Sequence, residues 1–70
     1  MMIRKFLSSL FRFAYQVSFY KNGKVVVWVT SRDNIKLVTD IMVAHGYKFV
    51  GTKQLRGNKF VISYIGDVRD

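Results

Sequence analysis

Two runs rich in β-branched and aromatic residues, joined by Lys21-Asn22-Gly23-Lys24, constrain the fold of this chain most strongly. An Asn-Gly pair tolerates the positive φ angles that a two-residue type I′ turn requires at both central positions. Residues 13–30 are therefore predicted to form a β-hairpin. The turn sets its register and pairs Tyr20 with Val25, Phe19 with Val26, and Val17 with Trp28. One face then carries Phe13, Tyr15, Phe19 and Trp28.

A second hairpin is predicted near the C-terminus. Its strands run from Tyr47 to Lys53 and from Lys59 to Ile65, and the turn lies within residues 54–58. A glycine in such a short connection is typical of a hairpin. The alternation in the two strands places Phe60, Ile62 and Tyr64 on the same face as Phe49.

Helical spacing marks two other segments. Residues 3–14 repeat apolar side chains at i, i+3, i+4 and i+7, which indicates an amphipathic N-terminal helix, and residues 1–12 are assigned to it. A middle helix begins after Ser31, whose hydroxyl can accept a free backbone N–H, and ends at Gly46. Its inward stripe is Ile35, Val38, Ile41 and Met42.

These elements predict an α+β fold in the order α-ββ-α-ββ. The sheet has four strands and is mainly antiparallel, and the middle helix packs on one of its faces. Residues 1–70 make one small domain, since domains of this length do not divide, and residues 66–70 form a flexible tail. The second face of the sheet needs cover, which either the N-terminal helix or a second subunit can provide.

The amino-acid composition limits the kinds of chemical site that we expect in this chain. The chain has no cysteine, one histidine and four carboxylates, so neither disulfides nor a zinc site are expected. His45 lies in the last turn of the middle helix, where a histidine usually interacts with the helix dipole. We therefore expect a protein that is not an enzyme and has no cofactor. The lack of cysteine fits a reducing compartment, and we expect a cytoplasmic protein without a signal peptide.

The charge is strongly one-sided. Twelve Lys and Arg residues stand against four acids, giving a formal net charge of +8, and Asp67 and Asp70 lie in the last four residues. A balance of this kind attracts nucleic acid, an anionic membrane or an acidic protein over long distances.

The predicted topology gathers the basic residues at opposite ends of the sheet. Because the middle helix returns the chain to the first hairpin tip, one end carries Lys21, Lys24 and Lys48, with Tyr20 and Tyr47 beside them. The opposite end carries Lys53, Arg56, Lys59, Arg12 and Arg32. The charge thus forms two basic ends or a stripe that joins them, and either suits a long polyanion or a dimer that aligns its ends.

The first functional hypothesis is a small accessory protein that binds nucleic acid, with RNA favoured over DNA, through phosphate contacts, with tyrosines stacking on unpaired bases. The alternative is an inhibitor or adaptor of the kind found among small phage accessory proteins, which acts on an acidic or nucleic-acid-bound partner. A third hypothesis is a membrane-surface protein that uses the N-terminal helix. A homodimer is expected in the first two.

Overall fold

The computed structural model describes residues 2–66 and the side chains of residues 5–66. The predicted order α-ββ-α-ββ is confirmed. The elements are α1 (Met2–Phe11), β1 (Ala14–Phe19), β2 (Lys24–Val29), α2 (Asp33–Ala44), β3 (Tyr47–Gln54) and β4 (Phe60–Gly66). The strands form one sheet in the order β1-β2-β4-β3, with each neighbouring pair antiparallel. The predicted tail of residues 66–70 is wrong at Gly66, which pairs with Tyr47 as the last residue of β4, and residues 67–70 lie outside the described residues.

The first hairpin has a different register from the predicted one. Phe19 pairs with Val25, and Val17 pairs with Val27, one position earlier on β2 than expected. Because side chains alternate between the two faces of a sheet, a shift of one residue changes which side chains share a face. Phe19 therefore lies on the face of Val25 and Val27, and it does not share a face with Trp28.

The turn explains this shift, because its loop contains three residues instead of two. Tyr20, predicted to pair with Val25, precedes the loop, and its N–H donates to the carbonyl of Lys24 at 2.9 Å. Within the loop only Gly23 has a positive φ, at 85°. The side-chain oxygen of Asn22 accepts a hydrogen bond from the Lys24 N–H at 3.1 Å. The side chain of Asn22 thus stabilises the turn, and its backbone keeps a negative φ. The type I′ prediction is therefore wrong.

The second hairpin follows the prediction. Phe49 pairs with Tyr64, and the face of Tyr64 also carries Phe60 and Ile62. The turn between β3 and β4 contains Gly57 at a φ of 65°. Since β4 lies between β2 and β3 and is antiparallel to both, those two strands run in the same direction, and α2 carries the chain across β4 from one to the other.

Both helices pack on the same face of the sheet. Phe6 and Leu10 of α1 are buried in one cluster with Val38 and Met42 of α2, and the sheet contributes alternate residues to that cluster: Val25, Val27, Val29, Phe60, Ile62 and Tyr64. The sequence left two alternatives for covering the second face of the sheet, the N-terminal helix or a second subunit. The packing of α1 on the first face excludes the N-terminal helix. The same packing buries part of the apolar stripe of α1 that the membrane hypothesis needs.

The C-terminal end of α2 agrees with the sequence, whereas the N-cap is Arg32, one residue after the predicted Ser31. The Ser31 hydroxyl accepts a hydrogen bond from the Asp33 N–H at 3.2 Å, and Gly46 has a φ of 90° just after the helix. In the core, the hydroxyls of Thr39 on α2 and Tyr64 on β4 lie 2.7 Å apart. Burial raises the pKa of Tyr64 above 10.0, and the hydrogen bond with Thr39 opposes this effect. The hydroxyl pair thus joins α2 to the sheet inside an otherwise apolar layer.

We expect the packing of α1 to contribute a large part of the stability. Leu10 is fully buried, whereas its neighbour Phe11 is 51% exposed. Leu10→Ala should lower the free energy of unfolding by about 2–5 kcal/mol, because it leaves a cavity in the core. Phe11→Ala should cost less than about 1 kcal/mol, because a half-exposed ring loses little buried area. Urea unfolding followed by circular dichroism measures both. Equal losses in the two variants would contradict the one-sided packing.

Candidate nucleic-acid interface

The face of the sheet opposite the helices, here called the open face, has no described element packed on it. Two rows of paired residues cross it from β1 to β3. They are Ser18–Val26–Ser63–Gly51 and Gln16–Trp28–Val61–Lys53, and a third row, Lys24–Ile65–Lys48, spans β2, β4 and β3. The open face therefore has an apolar centre with hydroxyls and an amide beside it and lysines at its margins.

Four lysines belong to this face. Lys24 and Lys48 flank Ile65 at one end, and Lys53 lies in the row of Trp28 near the other end. Lys59 directly precedes the first residue of β4, and alternation along the strand directs it to the open side. Lys24 and Trp28 are four residues apart on one strand, so their rows are about 13 Å apart. The lysines thus surround the apolar centre instead of forming a single cluster.

The described carboxylates lie on the other side of the sheet. Asp33 and Asp40 belong to α2, and Lys36 Nζ lies 3.2 Å from an oxygen of Asp40 on the surface of that helix. No described carboxylate lies on the open face. The sheet consequently separates a purely basic surface from one on which acidic and basic groups are mixed.

Two bulges shape the edges of the open face. Tyr15 is the extra residue between Ala14 and Gln16 on β1, and the Nζ of Lys59 lies 6.0 Å from its ring centroid. Since β2 separates β1 from β4, this contact requires both side chains to lie on the same side of the sheet. On β3 a bulge precedes Gly51, and a Cβ built on Gly51 meets no atom within 4 Å. At Gly51, that edge of the open face therefore has space for another group.

The predicted residues of the first basic end are brought together, but their roles differ. Lys21 and Tyr20 are exposed at the hairpin tip, and the Nζ of Lys24 lies 6.0 Å from the ring centroid of Tyr20. Tyr47 instead packs in the protein, with its ring nearly parallel to that of Phe6 at 5.9 Å between centroids. The Tyr47 ring is half-buried, so we leave it out of the candidate interface.

The residues of the second end divide between the two sides of the sheet. Lys53 and Lys59 belong to the open face, and Arg56 is exposed in the turn after β3. Arg32 lies on the helix side, where its guanidinium is 5.7 Å from the ring centroid of the buried Phe60. Arg12 follows α1 on that same side. The stripe that joins the two ends therefore consists of the open-face lysines and excludes both of these arginines.

Sequence reasoning missed the residues at the centre of the open face. Trp28 was assigned to the face of Phe19, because the predicted register was one residue off. Gly51 follows a bulge that no local pattern of residues marks. One signal was present: Lys24, Val26 and Trp28 alternate along β2 with Val25, Val27 and Val29, so that one side of this strand is wholly apolar and the other ends in a lysine.

Other depressions lie on the surface outside the open face. A shallow cavity on α1 is lined by Lys5, Ser8, Ser9 and Arg12, and an apolar groove between α2 and β3 is lined by Arg32, Ile35, Lys36, Thr39 and Phe49. Among residues 2–66, no group of three or more His, Cys, Asp or Glu side chains is placed to hold a metal ion. Neither described helix has the length and apolar character needed to cross a membrane.

Comparisons with known proteins provide no relative. No protein-family model matches the chain. No curated protein matches it, and no solved structure does so either. A function for the open face therefore has to be inferred from its residues and geometry.

We expect the lysines of the open face to repel one another and to reduce stability at low ionic strength. The screening length falls from about 30 Å at 0.01 M salt to about 8 Å at 0.15 M. The melting temperature should therefore rise by about 2–6 °C between these concentrations, which corresponds to under 1 kcal/mol. The double variant Lys48→Gln/Lys53→Gln should show a smaller rise. A melting temperature that falls with added salt would contradict this account.

Proposed function

We propose that the protein is a non-enzymatic accessory protein that binds nucleic acid, preferably RNA, through its open face. The observation that carries the proposal is the separation of charge across the sheet. Four lysines and no described carboxylate share the open face, whereas Asp33 and Asp40 lie on the helix side. Lysine contacts with phosphates supply most of the affinity of sequence-independent binding, and they act through charge alone.

The arrangement of these lysines fits an extended polyanion. They lie at both ends of a surface whose outer rows are more than about 13 Å apart. A small anion would contact only one or two of them, whereas a strand that crosses the sheet can meet Lys24 or Lys48 first and Lys53 or Lys59 later. This spacing favours a polymer of phosphates over a single acidic ligand.

RNA is favoured over DNA by the polar groups between the lysines. Ser18 and Ser63 lie in the row of Val26, and Gln16 lies in the row of Trp28. Hydroxyl and amide groups can exchange hydrogen bonds with a ribose 2′-hydroxyl, the group by which proteins distinguish RNA from DNA. A DNA strand of the same sequence would leave those groups without that partner.

The open face is less suited to a second copy of the chain. A dimer that joined two open faces would place the lysines of one subunit against those of the other, and like charges in an interface are unfavourable. An acidic protein remains compatible with the charge. We therefore make polyglutamate a comparison ligand, since it carries negative charge without bases or ribose.

We predict that an unstructured 12-nucleotide RNA binds with a strong dependence on salt. Contacts with about four phosphates of a single strand give a slope near −3 for log K against log salt, which is about a 50-fold loss between 50 and 200 mM. Fluorescence anisotropy of labelled RNA measures this slope. DNA of the same sequence should bind more weakly. Undetectable binding of both at 10 mM salt, or tighter binding of polyglutamate, would overturn the proposal.

A matched pair of variants tests the surface. Gly51→Glu introduces one negative charge on the open face, where a side chain has space, and Ser8→Glu introduces the same charge on the exposed side of α1. We expect Gly51→Glu to weaken RNA binding by tenfold or more and Ser8→Glu by less than threefold, because nearby charge acts most strongly within a Debye length. The reverse order would assign binding to the basic side of α1.

A further inference from the structure

Trp28 lies on the open face, on the central strand β2 and in the row nearest the second basic end. It is the only tryptophan of the chain, and it lies on β2 between Gln16 and Val61. It is partly exposed and does not belong to the buried cluster beneath the helices. A large aromatic side chain is therefore held by the rigid central strands on the surface that carries the lysines.

The surroundings of Trp28 suit a planar, uncharged group. Val26 precedes it by two residues on the same face and Val61 pairs with it on β4, while Gln16 pairs with it on β1, so the neighbouring side chains are apolar or uncharged. Lys53 lies in the same row two strands away, at about 10 Å between backbones. A base above Trp28 would thus rest on an apolar floor, and its phosphates would lie within reach of lysines on either side.

A second aromatic side chain extends this surface toward the edge. Tyr15 projects from the bulge on β1 and is exposed, and Lys59 reaches its ring. The bulge places Tyr15 immediately before the residue that pairs with Trp28. Four-stranded sheets that present aromatic side chains of this kind stack two or three bases in sequence.

We propose that Trp28 stacks on an unpaired base, with Tyr15 stacking on a neighbouring one, and that the protein therefore selects single-stranded over double-stranded RNA. This inference rests on the proposed function. In an A-form duplex the bases are stacked on one another and their flat surfaces are closed to a sheet, so a duplex meets the lysines only. Stacking on an aromatic side chain accepts any base, so the selection concerns strandedness and not sequence.

The single tryptophan makes the test direct. Trp28 emission is recorded while an unstructured 12-nucleotide RNA, or the blunt duplex formed with its complement, is added at 50 mM salt. We expect the single strand to quench the emission and to bind at least fivefold more tightly than the duplex. Anisotropy of labelled RNA gives the affinities independently.

Three variants complete the experiment. Trp28→Ala should weaken single-strand binding at least fivefold and duplex binding by less than twofold. Trp28→Phe keeps an aromatic ring, so its affinity for the single strand should lie between those of wild type and Trp28→Ala. This variant provides the test if the alanine variant does not fold. Phe11→Ala removes an exposed ring from the helix side and should change neither affinity. Circular dichroism of each variant establishes that it is folded.

The outcomes separate this inference from the function on which it rests. If wild type binds both RNAs equally and Trp28 emission does not change, stacking is excluded and phosphate binding remains. If Trp28→Ala weakens both RNAs by the same factor, Trp28 supports the face without contacting a base, and the inference is also overturned. If neither RNA binds at 10 mM salt, the proposed function fails with it.

Discussion

The packing of both helices against one face of the sheet determines where the other groups of the molecule lie. Leu10 of α1 and Met42 of α2 are buried together over Val27 and Ile62, and all four side chains are inaccessible to solvent. Burial of apolar area is the main favourable contribution to folding in a chain without disulfides. Because this burial uses one face only, the period of two along each strand leaves every alternate residue of the sheet outside the core.

The packing of both helices on one face makes the two sides of the sheet differ in charge. The four lysines on the open face are separated from the carboxylates of α2 by the sheet itself, so that face carries positive charge without a described carboxylate. The same face carries Trp28 and Tyr15, which fits the proposed binding of unpaired bases.

Much of the fold could be predicted from local patterns, but the face of each residue could not. The helical stripe of α2, the αL glycine at position 46 and the face that Phe49 shares with Tyr64 follow from short-range spacing, and they agree with the structure. The register of the first hairpin depends on whether Asn22 adopts a positive φ or accepts a hydrogen bond from Lys24. The sequence Asn-Gly is compatible with both alternatives.

The same ambiguity limited the candidate site. Basic residues were placed correctly along the strands, since chain direction follows from topology, and so Lys24 and Lys48 do share one end. Which side of the sheet each one faces depends on the register, which the turn sets, and on bulges, which no local pattern of residues marks. Trp28 was consequently missed, while Tyr47, an aromatic residue near the same end, was chosen although it packs on Phe6.

The central claim is that the open face, and not the helix side, contacts RNA, and methyl NMR spectra during an RNA titration test it most directly. Val26, Val61 and Ile65 lie on the open face, whereas Val25, Val27 and Ile62 lie in the core. The account predicts that the first three methyl signals shift with added single-stranded RNA and that the other three remain nearly unchanged, in alternation along each strand. Shifts confined to residues of α1 and α2, with the open-face methyl groups unaffected, would contradict it.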